Sequence, residues 1–117
     1  MTAPNIVNVT TITGKTAVQA IGTSATAIVS NSAGSNKVIK VNALYISNID
    51  GTAAADLYVD LYRSATAYRL AYKVSVPAAA SLDFLSKPLY LEEGDSLRLT
   101  AGATTKLEAV ASYEEIS

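Results

Sequence analysis

Cysteine, histidine and tryptophan are missing from this chain of 117 residues, and phenylalanine occurs once. Without cysteine there is no disulfide staple and no thiolate nucleophile. Without histidine there is no imidazole general base, and the two absences together exclude nearly every structural zinc site. Neither charge sign dominates: nine basic and ten acidic residues leave a formal charge of −1. These charges are spread along the chain, so neither nucleic acid nor an anionic membrane is expected as a partner. No apolar run is long enough to span a bilayer as a helix. The opening Met1-Thr2-Ala3-Pro4-Asn5 lacks the basic and apolar regions of a secretory signal, which points to a cytosol-like compartment. What remains is chemistry carried by carboxylates, hydroxyls and amines, or no chemistry at all.

What the chain does have is apolar content of 50%, enough for one core and one domain. Its segments alternate at period two between Gly, Pro, Asn and Asp breaks. Strands are expected over 6–13, 16–21, 25–30, 38–47, 55–62, 67–76, 81–85, 89–91, 96–100 and 106–113. Breaks are expected at Gly14, Gly22, 31–36, Asp50-Gly51, 77–80, Gly94-Asp95 and Ala101-Gly102. Pro77 could open a helical turn, but Ser81-Leu82-Asp83-Phe84 alternates as a strand does. The spacing predicts an all-β fold, an antiparallel β-sandwich of jelly-roll type with about eight strands. An extended N-terminal arm is expected over 1–13 and the sandwich over 14–117.

A central hairpin carries the clearest pattern. With its turn on Arg63-Ser64-Ala65-Thr66, Leu61 faces Tyr68, Val59 faces Leu70 and Leu57 faces Tyr72. On the opposite face Asp60 meets Arg69 and Asp56 meets Lys73. A second hairpin is expected around Glu92-Glu93-Gly94-Asp95, returning Leu97 and Leu99 beside Leu89 and Leu91. The expected core is Leu57, Val59, Leu61, Leu70, Tyr72, Val74, Leu97, Leu99, Leu107 and Ala109.

Catalytic patterns are absent. Asp56 and Asp60 stand four residues apart on one strand, about 13 Å, too far for a paired-carboxylate hydrolase. No Gly-x-Ser-x-Gly elbow occurs, and Gly14-Lys15-Thr16 lacks the upstream glycine of a phosphate loop. Glu92, Glu93 and Asp95 lack the spaced ligand loop of a calcium site. No enzyme, cofactor or metal is expected. The candidate surface is the outward face of the central hairpin, where Tyr58 and Tyr62 lie among Asp56, Asp60, Arg69 and Lys73, a composition suited to an interface. Ile6, Val7 and Val9, apolar on both faces of the arm, suit a segment covered by a neighbouring subunit.

The run Asn42-Ala43-Leu44-Tyr45-Ile46-Ser47-Asn48, then Lys87-Pro88-Leu89, Leu91-Glu92-Glu93-Gly94-Asp95-Ser96-Leu97 and Ala111-Ser112-Tyr113-Glu114-Glu115-Ile116 resembles the small β-sandwich virion proteins of tailed bacteriophages, cyanophages among them. The resemblance covers the part of the chain from Val38 onward. It implies a non-enzymatic role in the virion, after synthesis in the host cytoplasm: decoration, or cementing, of the capsid lattice. It implies as partners the major capsid protein or other virion subunits, with a homo-oligomer, a trimer by preference. A neck, tail or fibre-attachment role is the alternative. A carbohydrate-binding module is a third reading, opposed by the lack of Trp.

Overall fold

Period-two alternation yields strands and no helix among the described residues, which are 10–117 of this computed structural model. The strands are β1 (Ile12–Ile21), β2 (Thr26–Ser30), β3 (Val38–Asn48), β4 (Ala55–Arg63), β5 (Thr66–Val76), β6 (Ser81–Asp83), β7 (Leu89–Leu91), β8 (Ser96–Ala101) and β9 (Leu107–Ile116). One antiparallel sheet runs β1-β9-β3, with β6 and β7 both on the far side of β3; the other runs β2-β8-β4-β5. The pairs are nested: β4 with β5, β3 with β6 and β7, β2 with β8, β1 with β9. That is one long hairpin rolled over on itself, the jelly-roll arrangement. β6 and β7 are two halves of one edge strand, interrupted where Phe84 and Leu85 pack against the core. The Phe84 N–H still donates to Leu44 O at 2.8 Å, and Pro88 has no N–H to offer the ladder.

The core lies between the sheets. Val41, Leu44 and Ile46 of β3 and Leu107, Ala109 and Ala111 of β9 meet Leu57 and Val59 of β4, Val76 of β5 and Leu97 and Leu99 of β8. Fully burying each of the larger aliphatic side chains is worth about 1.5–3 kcal/mol, well above the roughly 0.2–1 kcal/mol of a cross-strand pair.

Four expectations are corrected. Gly14 does not break the first strand: it pairs with Glu114 inside a continuous β1. β1 begins at Ile12, paired with Ile116, while the Thr10 and Thr11 N–H groups both donate to Ser117 O at 2.8 Å. The last residues assigned to an arm are therefore held by the chain's own β9; the rest, with Ile6, Val7 and Val9, lie outside the described residues. The Glu92–Asp95 turn does not join a hairpin. It is an arch between layers, because β7 pairs with β3 in one sheet and β8 with β2 and β4 in the other. Leu89, Leu91, Leu97 and Leu99 do reach one core, from opposite sides.

The fourth correction concerns the central hairpin. Arg63–Thr66, Tyr62–Ala67, Leu61–Tyr68 and Asp60–Arg69 pair as expected, but Val59 then faces Ala71 and Leu57 faces Val74. β5 thus carries two extra residues, one at Leu70 and one at Tyr72–Lys73, where Lys73 takes φ 56°. Each bulge reverses the alternation. The first buries Ala71 and turns Tyr72 outward; the second restores the original parity, so that Val74 lies opposite Leu57 and Val76 is buried, yet Leu70, Tyr72 and Val74, expected in the core, are 41%, 67% and 38% exposed, Val74 on the uncovered side of an end strand. Asp56 lies opposite Ser75 and not Lys73.

Two buried asparagines anchor the loops at strand ends. Asn31 Nδ2 donates to Lys37 O and Leu91 O at 2.8 and 3.0 Å, and Asn48 Nδ2 donates to Ala53 O and Val76 O at 3.0 Å. Each amide satisfies carbonyls that an irregular loop would otherwise leave unpaired.

Candidate functional site

The outer face of the β2-β8-β4-β5 sheet is set by the residues alternating with the core. On β4 these are Tyr58, Asp60 and Tyr62; across the ladder on β8 they meet Thr100, Arg98 and Ser96. On the other side Asp60 meets Arg69 and Tyr62 meets Ala67. Because of the bulges, Tyr58 meets Tyr72: their ring centres are 5.3 Å apart at 80°, an edge-to-face pair. These side chains line an open depression of about 300 Å³, bounded by Ala25, Tyr58, Asp60, Ala67, Arg69, Tyr72, Arg98 and Thr100.

Asp60 is its buried charge, with a side chain 3% exposed. Arg69 Nη1 donates to its Oδ1 at 3.1 Å, and the Arg69 guanidinium carbon also lies 5.3 Å from the Tyr72 ring centre. Arg98 lies over Tyr62, its guanidinium carbon 4.0 Å from the ring centre. The Arg98 Nε is buried with no hydrogen-bond partner among the described residues. A guanidinium stacked in this way is held in position by cation–π attraction.

Of the residues expected at this face, Tyr58, Asp60 and Arg69 line the pocket, and Tyr62 supports Arg98. Asp56 sits beyond it, its backbone O accepting from Gly102 N at 2.9 Å. Lys73 is exposed at the bulge. Sequence reasoning missed Tyr72, Arg98 and Thr100. The signal for the last two was present in Ser96-Leu97-Arg98-Leu99-Thr100, whose polar residues alternate with core leucines; what was lacking was β4 as the neighbour.

A second feature borders the pocket. β5 is the end strand of its sheet and leaves four large side chains exposed, Tyr68 by 56%: Tyr72 projects from the outer face beside Tyr58, Tyr68 and Val74 lie opposite Leu61 and Leu57 on the inner side, and Leu70 sits at the bulge. The bulges and Lys73 interrupt the free edge, the devices by which proteins discourage strand addition. Contact through side chains is favoured over an added strand. Among the described residues no group of three His, Cys, Asp or Glu side chains is gathered as a metal site.

The chain matches no family model and no curated protein. Among solved structures it is similar to a chain described as "Bacillus endospore appendages form a novel family of disulfide-linked pili", with a TM-score of 0.55 and 10% identity, over 100% of this chain and 96% of that one. At that identity the likeness is one of fold.

Proposed function

We propose that this protein is a non-enzymatic structural subunit that acts by assembling with other subunits, and that it decorates the capsid of a tailed phage. The observation that supports an assembling subunit is the set of large side chains left exposed along the end strand β5, Tyr68, Leu70, Tyr72 and Val74. A specific interface covers about 800 Å² on each partner, and a partner that wraps the β5 edge would cover these side chains from both sides, with Lys73 and Arg69 among its polar contacts. The capsid assignment rests on the resemblance of the chain from Val38 onward to phage virion proteins. The jelly roll serves in viral capsid domains among many other uses, which is analogy of fold. The pilus in the solved structure is named as disulfide-linked; this chain has no cysteine, so it makes no disulfide links of that kind.

The test is co-sedimentation with purified empty capsids, together with the native mass of the free protein. Binding is expected, and Leu70→Glu, at an exposed position, should abolish it while the variant stays folded. A trimer places the protein at local three-fold junctions. Failure to sediment with any capsid overturns the capsid assignment, and an unaltered Leu70→Glu variant removes β5 from the interface.

A further inference from the structure

The fold uses its arginines unequally. Arg63 is committed to Asp95 and Glu92, and Arg69 to Asp60. Arg98 makes no ion pair among the described residues, although Asp60 is its cross-strand neighbour. It lies on Tyr62 with a buried, unpartnered Nε, and it forms one wall of the pocket. Its position is fixed by stacking, so little side-chain freedom remains to be lost on binding. With Nε buried, the two terminal Nη groups are the side of the planar fork left to meet a carboxylate at two points.

The rest of the pocket narrows the ligand. Asp60 offsets one of the two guanidinium groups, Arg69 and Arg98, leaving a single positive charge in excess. That balance suits a monoanion better than a phosphate dianion. Tyr58 and Tyr72 supply ring surface, while Thr100, the tyrosine hydroxyls and the remaining Arg69 N–H groups supply hydrogen-bonding partners around only two alanines. An unsubstituted aromatic acid would strand those polar groups, each at a desolvation cost. A polyhydroxylated ring satisfies them. The depression, about 300 Å³ and open to solvent, is at the small end of ligand sites and can take one face of a sugar residue.

We infer that this pocket binds an acidic sugar, a uronate, with its carboxylate on Arg98, its ring against Tyr58 and Tyr72, and its hydroxyls on Arg69 and Thr100. This goes beyond the assembly reading and requires no capsid, since the isolated chain carries every residue involved.

The experiment is calorimetric titration of the full chain with D-galacturonate and a short oligogalacturonate, beside neutral galactose and N-acetylglutamate. Galacturonate should bind and galactose should not. Arg98→Met should weaken binding about tenfold or more, the effect of removing one charge-assisted two-point contact, while the variant still unfolds in one cooperative transition. Arg98→Lys, which keeps the charge without the fork, should weaken binding several-fold and guards against a folding defect in the first variant. The inference is overturned if galacturonate does not bind, if galactose binds equally, if N-acetylglutamate binds more tightly than the sugar acids, or if Arg98→Met and Arg98→Lys bind as the parent does.

Discussion

Arg63 grips Asp95 at two points, Nε to Oδ1 at 2.8 Å and Nη2 to Oδ2 at 2.5 Å, and thereby ties the end of β4 to the arch that carries the chain from one sheet to the other. Asp95 Oδ2 also accepts the Glu92 N–H at 2.9 Å, and Asp95 O accepts the Asn31 N–H at 2.9 Å. The Gly94-Asp95 turn is therefore a structural clasp, with Gly94 at φ 88°. Its charges shift accordingly. Burial opposes ionisation of Asp95, but the Arg63 hydrogen bonds and the Glu92 N–H outweigh it and hold the carboxyl below its usual range. The Asp95 hydrogen bonds raise Arg63 in turn.

Arg63→Met removes the partner and leaves a buried carboxylate, 2% exposed. The expected loss is about 2–3 kcal/mol, below the full range for a broken buried pair because the guanidinium itself is partly solvated. Arg63→Lys should lose less, since an ammonium keeps the charge without the fork. Urea unfolding measures both; a loss under about 0.5 kcal/mol for Arg63→Met would show that water replaces the clasp.

Acid should weaken the fold through the same groups. Glu115 is likewise held below its usual range: burial opposes its charge, and hydrogen bonds from Lys15 and Lys37 outweigh that. Unfolded Asp and Glu titrate near about 3.9 and 4.3, so around those values the unfolded chain binds more protons than the folded one. Stability from Asp95 and Glu115 is then complete above about pH 5 and is lost as pH falls through the depressed folded values. Urea midpoints between pH 6 and pH 3 should fall, less steeply in Arg63→Met. A pH-independent midpoint contradicts this.

The inner face of β4 was legible because Leu57, Val59 and Leu61 keep strict alternation in the middle of a sheet, where β5 and β8 flank them. β5 was not, because Tyr68, Leu70, Tyr72 and Val74 alternate as regularly, yet bulges in an end strand break the correspondence between sequence parity and side. The arch was misread for a related reason. A turn flanked by leucines on each side looks the same whether its strands pair with each other or face each other across a core. Reading β7 and β8 as partners hid β4 as the neighbour of β8, and with it the Asp60–Arg98 and Tyr58–Thr100 rows of the pocket.

The bulged register separates two neighbouring positions. Ala71 is buried against the core and 5% exposed, so Ala71→Leu should overpack it and cost about 1–3 kcal/mol. Leu70→Gln, at a bulged and exposed position, should change stability by no more than about 0.5 kcal/mol. Unbroken alternation demands the opposite order. Chemical denaturation of the two variants decides between the registers.

The turn of the β4–β5 hairpin holds Ser64 at φ 52° and Ala65 at φ 59°. Positive φ at both central residues is the requirement of a type I′ turn, for which Asn-Gly is the favoured pair. Side chains with a Cβ are strained in that region, so the double variant Ser64→Asn/Ala65→Gly should gain about 1 kcal/mol, net of the extra freedom glycine has when unfolded. β4–β5 is also the innermost of the nested pairs, closing the shortest loop. The β1–β9 pair joins Ile12 to Ile116, nearly the whole described chain. Chain closure therefore costs least at this hairpin, and it is the pair expected to form before the outer ones. If it is formed in the transition state, the gain appears in the folding rate, about fivefold for 1 kcal/mol, with unfolding unchanged. Stopped-flow folding and unfolding in urea measures both limbs. A gain expressed only as slower unfolding would place hairpin closure after the rate-limiting step.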